Sequence, residues 1–358
     1  MKMKAAVLHS PGDLRIEDAD MPELKNDDDV LIEVRAAGIC GSDLDRILVT
    51  GMYTMPLIPG HEFCGVVSET GKQVKNFKPG DRVVVAPILP CFSCVNCVQG
   101  HYGQCDNYNY MGSRCNGAFA EYVIAPAKNL LAMPLEVGFL EGAAVEPAAV
   151  TLHGLKAIGI QPGDTVAVLG CGTIGLFAIR LSKILGAAKV IAVDILEEKF
   201  GYASQAGADA VINSIQTDAV ARIKEMTDGL GADVVVESAG TCVTQEEAIR
   251  MAKKHGRVLY LGTAHKDVVL PPKTFECIVR NEITIQGSWN SYSAPFPGIE
   301  WKTILNYIRD GRLCISEFIT HTIPLENLLQ TVRDMAEKKL KYNKVIVKME
   351  KKIINDCK

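Results

Sequence analysis

The chain has 358 residues, 48% of them hydrophobic. That length exceeds one ordinary core, and that composition excludes a disordered polymer. A formal net charge of −4, with acids and bases mixed along the chain, excludes a strong electrostatic footprint for nucleic acid or an anionic membrane.

The opening residues are soon broken by Ser10-Pro11-Gly12, so they lack the apolar core of a secretory signal, and no apolar run is long enough to span a bilayer. The reading therefore places the chain in the cytoplasm. Up to about residue 150 the pattern is β-rich. Val30-Leu31-Ile32-Glu33-Val34 and Arg82-Val83-Val84-Val85 are strand-like runs, punctuated by turns such as Pro79-Gly80-Asp81. From Gln161-Pro162-Gly163-Asp164 onward strands and helices alternate. Strands are predicted at Thr165–Leu169, Val190–Val193, Ala210–Ile212, Val234–Val236, Val258–Leu261 and Ile283–Ile285, with a helix over Thr173–Leu185. Six strands with intervening helices predict an α/β doubly wound parallel sheet. The texture is mixed again after about residue 287, and the charged tail Glu350–Lys358 reads as a solvated end.

Twelve cysteines are present, and four of them crowd into one loop as Cys91, Cys94, Cys97 and Cys105. This C-x2-C-x2-C-x7-C spacing can close a four-thiolate structural zinc shell. An iron–sulfur cluster is the rival ligand and unrelated buried cysteines are the plainer alternative. A second, dispersed set is Cys40, His61, Glu62 and Glu146. Sulfur, imidazole and carboxylate together fit a catalytic zinc with one open position, although each residue alone more often packs than ligates.

Gly170-Cys171-Gly172-Thr173-Ile174-Gly175 follows a predicted strand, opens a predicted helix and has Asp194 nineteen residues after its last glycine. That context makes it a dinucleotide fingerprint. The glycines serve a tight turn, the approach of a pyrophosphate and close helix–strand packing. Asp194 should accept from ribose hydroxyls and repel a 2′-phosphate, which favours NAD over NADP.

In Gly60-His61-Glu62-x2-Gly65-x5-Gly71-x2-Val74, followed by the cysteine cluster and then the glycine motif, the whole chain resembles the zinc-containing medium-chain alcohol dehydrogenases. The resemblance implies a GroES-like catalytic domain over 1–150, a Rossmann NAD-binding domain over 151–286, and a return over 287–358 that completes the first. By position Cys40, His61 and Glu146 match catalytic zinc ligands and Glu62 the acid beside the histidine. Which glutamate binds directly is left open. Ser42 matches a proton-relay hydroxyl, with a helix cap as the alternative. Further cofactor contacts are expected at Thr173, Ile174, Lys199 and Gly262. The resemblance also implies two zinc ions per chain, NAD, a homodimer or homotetramer, and a small-molecule substrate.

Local strings around Cys40–Ile47, Leu89–Cys94, Met111–Arg114 and Gly287–Trp301 resemble the polyol-phosphate dehydrogenases of that family, and the resemblance implies a polyol or polyol phosphate as substrate. A phosphorylated substrate wants a cation, and Arg46 and Arg114 are the candidates for a clamp, with solvated surface arginines as the alternative. Trp289 and Asn290 are weaker substrate candidates. Rival readings are a relative acting on sorbitol, xylitol, butanediol or threonine, and a non-catalytic zinc module.

Overall fold

The computed structural model describes Met1–Met349, so the expected solvated tail, Glu350–Lys358, lies outside the described residues. The alternating β-branched runs of the middle of the chain form six parallel strands. In spatial order they are Ala210–Asn213, Lys189–Asp194, Thr165–Leu169, Ala232–Glu237, Ala252–Tyr260 and Thr284–Gly287. Val166, for example, sits opposite Val190 on one side and Val234 on the other. Ala167, Ile191, Val235 and Val258 are among the buried apolar residues of this sheet. The order reverses direction beside Thr165–Leu169, which is the doubly wound pattern. Helix Thr173–Ile184 starts directly after that strand and its glycine turn.

The β-rich part has a seven-stranded sheet. Its path runs Ile319–Ile323, Lys344–Lys348, Asp29–Gly38, Glu62–Thr70, Arg82–Val85 and Leu130–Ala132, with Tyr122–Pro126 added alongside Asp29–Gly38. A hairpin, Lys2–Ser10 with Asp13–Asp20, packs on it and shares its apolar core. The strand Lys344–Lys348 belongs here, so the chain does return to complete its first part, as in a GroES-like fold.

The two compact units are Met1–Glu146 with the segment from Tyr292 onward, and Pro147–Ser291. The first changeover falls inside helix Val145–Ile158 rather than after residue 150, and the second at Ser291/Tyr292 rather than after residue 286. Sequence texture marks where a strand pattern starts or stops, whereas packing assigns the flanking turns. Among the described residues no helix is long and apolar enough to cross a membrane.

Two glycines of the fingerprint have distinct steric reasons. Gly170 has φ +90°, which L side chains rarely adopt. A β-carbon on Gly175 would overlap the Gly170 carbonyl oxygen. We therefore expect Gly175→Ala to destabilise the chain by about 1–3 kcal/mol through overpacking. Chemical denaturation checks this, and an unchanged midpoint would contradict it.

Candidate active site

Strand register builds the dispersed cluster. Gly38 pairs with Glu62 on adjacent antiparallel strands, so Cys40, just past the end of one, and His61, just before the start of the other, meet at one sheet end. Cys40, His61 and Glu62 bring their ligand atoms within 4.8 Å of one another. Glu146 joins from the first turn of helix Val145–Ile158 and is close enough to interact electrostatically with His61 and Glu62. Its side chain accepts from the Tyr110 hydroxyl at 3.4 Å, and the Tyr110 ring stands edge-on to His61 at 5.8 Å between centroids.

Asp43 is a member of this site that motif reading passed over. Fully buried, it accepts the Cys40 N–H at 3.0 Å through Oδ2, while Oδ1 faces His61 Nδ1 at 3.6 Å. A carboxylate on the far nitrogen of a ligating imidazole fixes its tautomer and orientation. An acid three residues after a candidate cysteine ligand was the available signal. Ser42 does not cap the short helix Gly41–Asp45; its exposed hydroxyl donates to Cys40 Sγ at 3.3 Å. Asp45, next along, is exposed and accepts from Thr50.

The electrostatics show which species fits. Burial works against a charge on His61, but Asp43 and Cys40 outweigh it and raise its pKa to about 10. Burial first, with Glu62 adding, pushes Glu146 up to about 7. Buried carboxylates and a thiol facing one imidazole favour a bound cation. A divalent cation is the partner such a sulfur, nitrogen and oxygen donor set fits.

The four-cysteine loop is built differently. Cys91, Cys94, Cys97 and Cys105 have their sulfurs within 4.8 Å of one another, and Cys91 and Cys97 are 4.0 Å apart. Zinc–sulfur bonds of about 2.3 Å give a tetrahedral edge of roughly 3.8 Å, which this spacing matches. An iron–sulfur cluster interposes its own irons and sulfides, for which so tight a set leaves little room. The Cys94 N–H points at Cys91 Sγ and the Cys91 N–H at Cys105 Sγ, both at 3.3 Å. The hydroxyl of Ser93, then backbone N–H groups, lower the Cys91 pKa to about 6, so a thiolate forms readily there.

In the other unit, Gly172 caps helix Thr173–Ile184 and leaves open space where a side chain would stand. Asp194 ends its strand and accepts from Cys171 N–H at 2.6 Å and Leu196 N–H at 2.9 Å. It keeps further lone pairs for a ligand. Lys199 lies near it; burial lowers the Lys199 pKa while Asp194 opposes that shift. A β-carbon on Gly262 would meet Glu237 Oε2 and the Gly240 backbone. Glu237, also unmarked by any motif, is buried and gathers the Ala239 and Gly240 N–H groups, at 2.9 and 2.8 Å. Trp289 is 54% exposed and Asn290 has φ +58°; both sit at the end of this unit, and nothing in its contacts marks them for a substrate.

Arg46 and Arg114, 68 positions apart in sequence, lie over one ring. Arg114 stands 4.0 Å and Arg46 6.0 Å from the Tyr53 centroid. Arg114 also lies 4.6 Å from the Tyr108 ring, Tyr108 is 6.4 Å from Tyr110, and Tyr110 touches His61.

Residues 26–135 match the alcohol dehydrogenase GroES-like domain and residues 173–306 the zinc-binding dehydrogenase family. The chain belongs to the zinc-containing medium-chain alcohol dehydrogenases and is an oxidoreductase. It is 37% identical over 334 residues to galactitol 1-phosphate 5-dehydrogenase of Escherichia coli strain K12, covering 93% of this chain and 96% of that one. The crystal structure of galactitol-1-phosphate dehydrogenase from Escherichia coli matches with TM-score 0.91 over 96% of this chain and 99% of that one. Sorbitol dehydrogenase of Bacillus subtilis strain 168 is 32% identical, covering 97% and 96%. A zinc-binding dehydrogenase of Sinorhizobium meliloti 1021, solved with NADP, is 33% identical with TM-score 0.90, covering 97% and 99%. These relatives differ in substrate, so the choice among them rests on this chain's own residues.

Elemental analysis of the purified protein is expected to give two zinc ions per chain. Cys94→Ser should lose one of them and lower the melting temperature, because a structural zinc contributes folding energy. One zinc per chain in the unsubstituted protein, or iron in the loop, would contradict the assignment.

Proposed function

We propose that the chain oxidises a secondary hydroxyl of a polyol phosphate, converting galactitol 1-phosphate to tagatose 6-phosphate with NAD as hydride acceptor. The observation that carries this reading is the pair of guanidinium groups on Tyr53, joined to His61 through Tyr108 and Tyr110 in the same unit. A 62% exposed ring under two arginines presents a fixed, solvent-facing cationic patch near the proposed metal ligands. Guanidinium groups are suited to bidentate phosphate binding. Substrates without a phosphate leave that patch unused.

Cys40, His61 and a glutamate would hold zinc, whose Lewis acidity polarises the reacting hydroxyl when it is bound. A bound nicotinamide would supply hydride acceptance, and Ser42 Oγ would carry the hydroxyl proton toward water. Asp43, whose Oδ1 faces His61 Nδ1 at 3.6 Å, would orient the imidazole electrostatically. Asp194 takes the adenosine ribose and disfavours a 2′-phosphate by like charge. Family likeness also supports a homodimer or homotetramer.

Charge-assisted contacts to a phosphate contribute about 1.5–3 kcal/mol each. Arg114→Ala or Arg46→Ala should lower kcat/KM for galactitol 1-phosphate by roughly ten- to a hundredfold, and for galactitol far less. Preference of the unsubstituted enzyme for galactitol or sorbitol would overturn the substrate. For the cofactor, kcat/KM should strongly favour NAD, and Asp194→Ala should relax that preference toward NADP. Equal use of both by the unsubstituted enzyme would refute this part.

A further inference from the structure

Tyr110 stands between His61 and the two-arginine patch. Its ring is edge-on to His61 at 5.8 Å and 6.4 Å from Tyr108, and the Arg114 guanidinium lies 4.6 Å from the Tyr108 centroid. A ligand spanning from His61 to Arg114 would pass over this half-buried ring. The Tyr110 hydroxyl is also incompletely used. It donates to Glu146 Oε1 at 3.4 Å and lies 3.5 Å from Tyr292 Oη. Both separations exceed the about 2.7–2.8 Å usual for O–H···O bonds. The single phenolic proton goes to Glu146, so toward a ligand the oxygen can only accept, and even with Tyr292 donating to it one lone pair remains.

The acceptor is held in place from behind. The Tyr110 backbone pairs with Ile88 in the short ladder that closes the base of the four-cysteine loop. Tyr292 is 3% exposed, and its ring stacks on both Phe296 and Trp301, with interplanar angles of 24° and 21°. Phe296 in turn meets Phe92 and Tyr102 of the cysteine loop edge-on, each at 5.2 Å. A β-carbon on Gly100 of that loop would stand 2.8 Å from Ala294 Cβ, so the loop and the segment that carries Tyr292 also touch at a second point. Packed rings thus run from the cysteine loop to Tyr292 Oη, and they limit where Tyr110 Oη can go. A preorganised acceptor costs little further ordering when a ligand donor arrives.

We propose that Tyr110 Oη accepts a hydrogen bond from a second hydroxyl of the substrate, the one on the phosphate side of the reacting carbon, with Tyr292 as the residue that positions it. This rests on the polyol phosphate reading above and deepens it by assigning a contact to the neighbouring hydroxyl. In galactitol 1-phosphate oxidised at carbon 5, that hydroxyl is the one on carbon 4, because carbon 6 lies on the side away from the phosphate.

The test is kcat/KM of the holoenzyme with galactitol 1-phosphate and with its 4-deoxy and 6-deoxy analogues. The unsubstituted enzyme prefers the parent over the 4-deoxy analogue by about tenfold or more, the scale of one hydrogen bond in a partly buried site. In Tyr110→Phe, which keeps the ring, that preference falls to about twofold or less, whereas the preference over the 6-deoxy analogue keeps its unsubstituted value. Tyr292→Phe, which keeps the stacked rings, reduces the 4-deoxy preference by about threefold through a less well-placed acceptor. A general folding defect lowers turnover of all three substrates alike and moves neither ratio. An undiminished 4-deoxy preference in Tyr110→Phe overturns the proposal, as does an unsubstituted enzyme that uses the parent and the 4-deoxy analogue equally well. If Tyr110→Phe does not fold, Tyr292→Phe decides by the same ratio, and no change in it overturns the proposal. An unsubstituted enzyme that does not oxidise galactitol 1-phosphate defeats the substrate reading itself.

Discussion

Cys40, Asp43, Glu62 and Glu146 place four acidic side chains around one buried imidazole, and Lys344 is the ammonium that reaches into them. Burial first, and then the Glu62 charge, raise the Glu146 pKa, whereas Asp43 and Cys40 raise that of His61 against the effect of burial. In water such groups would simply ionise and separate. Here the fold holds them together, so their charge must be met by protons or by a metal ion.

Strand register brings Cys40, His61 and Glu62 together, while Asp43 and Glu146 arrive from helices Gly41–Asp45 and Val145–Ile158. Antiparallel pairing of Gly38 with Glu62 fixes where Cys40 and His61 emerge, and the neighbouring strand delivers Lys344 to the same level. A buried ion pair of this kind adds little net stability, but breaking it by removing one partner typically costs about 3–5 kcal/mol. Its value lies in specifying where one carboxylate points. The four-cysteine loop obeys a different logic: only the short pair Ile88–Leu89 and Asn109–Tyr110 closes its base, and close sulfur spacing with backbone N–H groups aimed at the sulfurs makes a shell suited to a metal that would organise the loop itself.

Much of the architecture was legible in the sequence because its signals are local. The six strands of the parallel sheet were readable as short β-branched runs, and their observed bounds differ from the predicted ones mainly by the addition of flanking residues, most at Ala252–Tyr260, whose Lys253-Lys254-His255-Gly256 stretch has no strand-like pattern. The glycine fingerprint and the cysteine loop were likewise contiguous. The parts that escaped depend on long-range contact. Lys344 reaches Glu62 from 282 positions away and sits in a strand whose alternation gives no hint that its first residue points inward. Tyr110 and Tyr292, with hydroxyls 3.5 Å apart near Glu146, are ordinary aromatic residues in sequence. Arg46 and Arg114 were singled out by position, but only folding shows that they share Tyr53.

The buried anionic cluster of the first unit is proposed as a metal centre held by Cys40, His61 and a glutamate. Anomalous diffraction from crystals of the holoenzyme, recorded on both sides of the zinc absorption edge, tests this most directly. One zinc peak is expected among Cys91, Cys94, Cys97 and Cys105, and a second bonded to Cys40, His61 and one of the two glutamates. No peak beside Cys40 and His61 would contradict it.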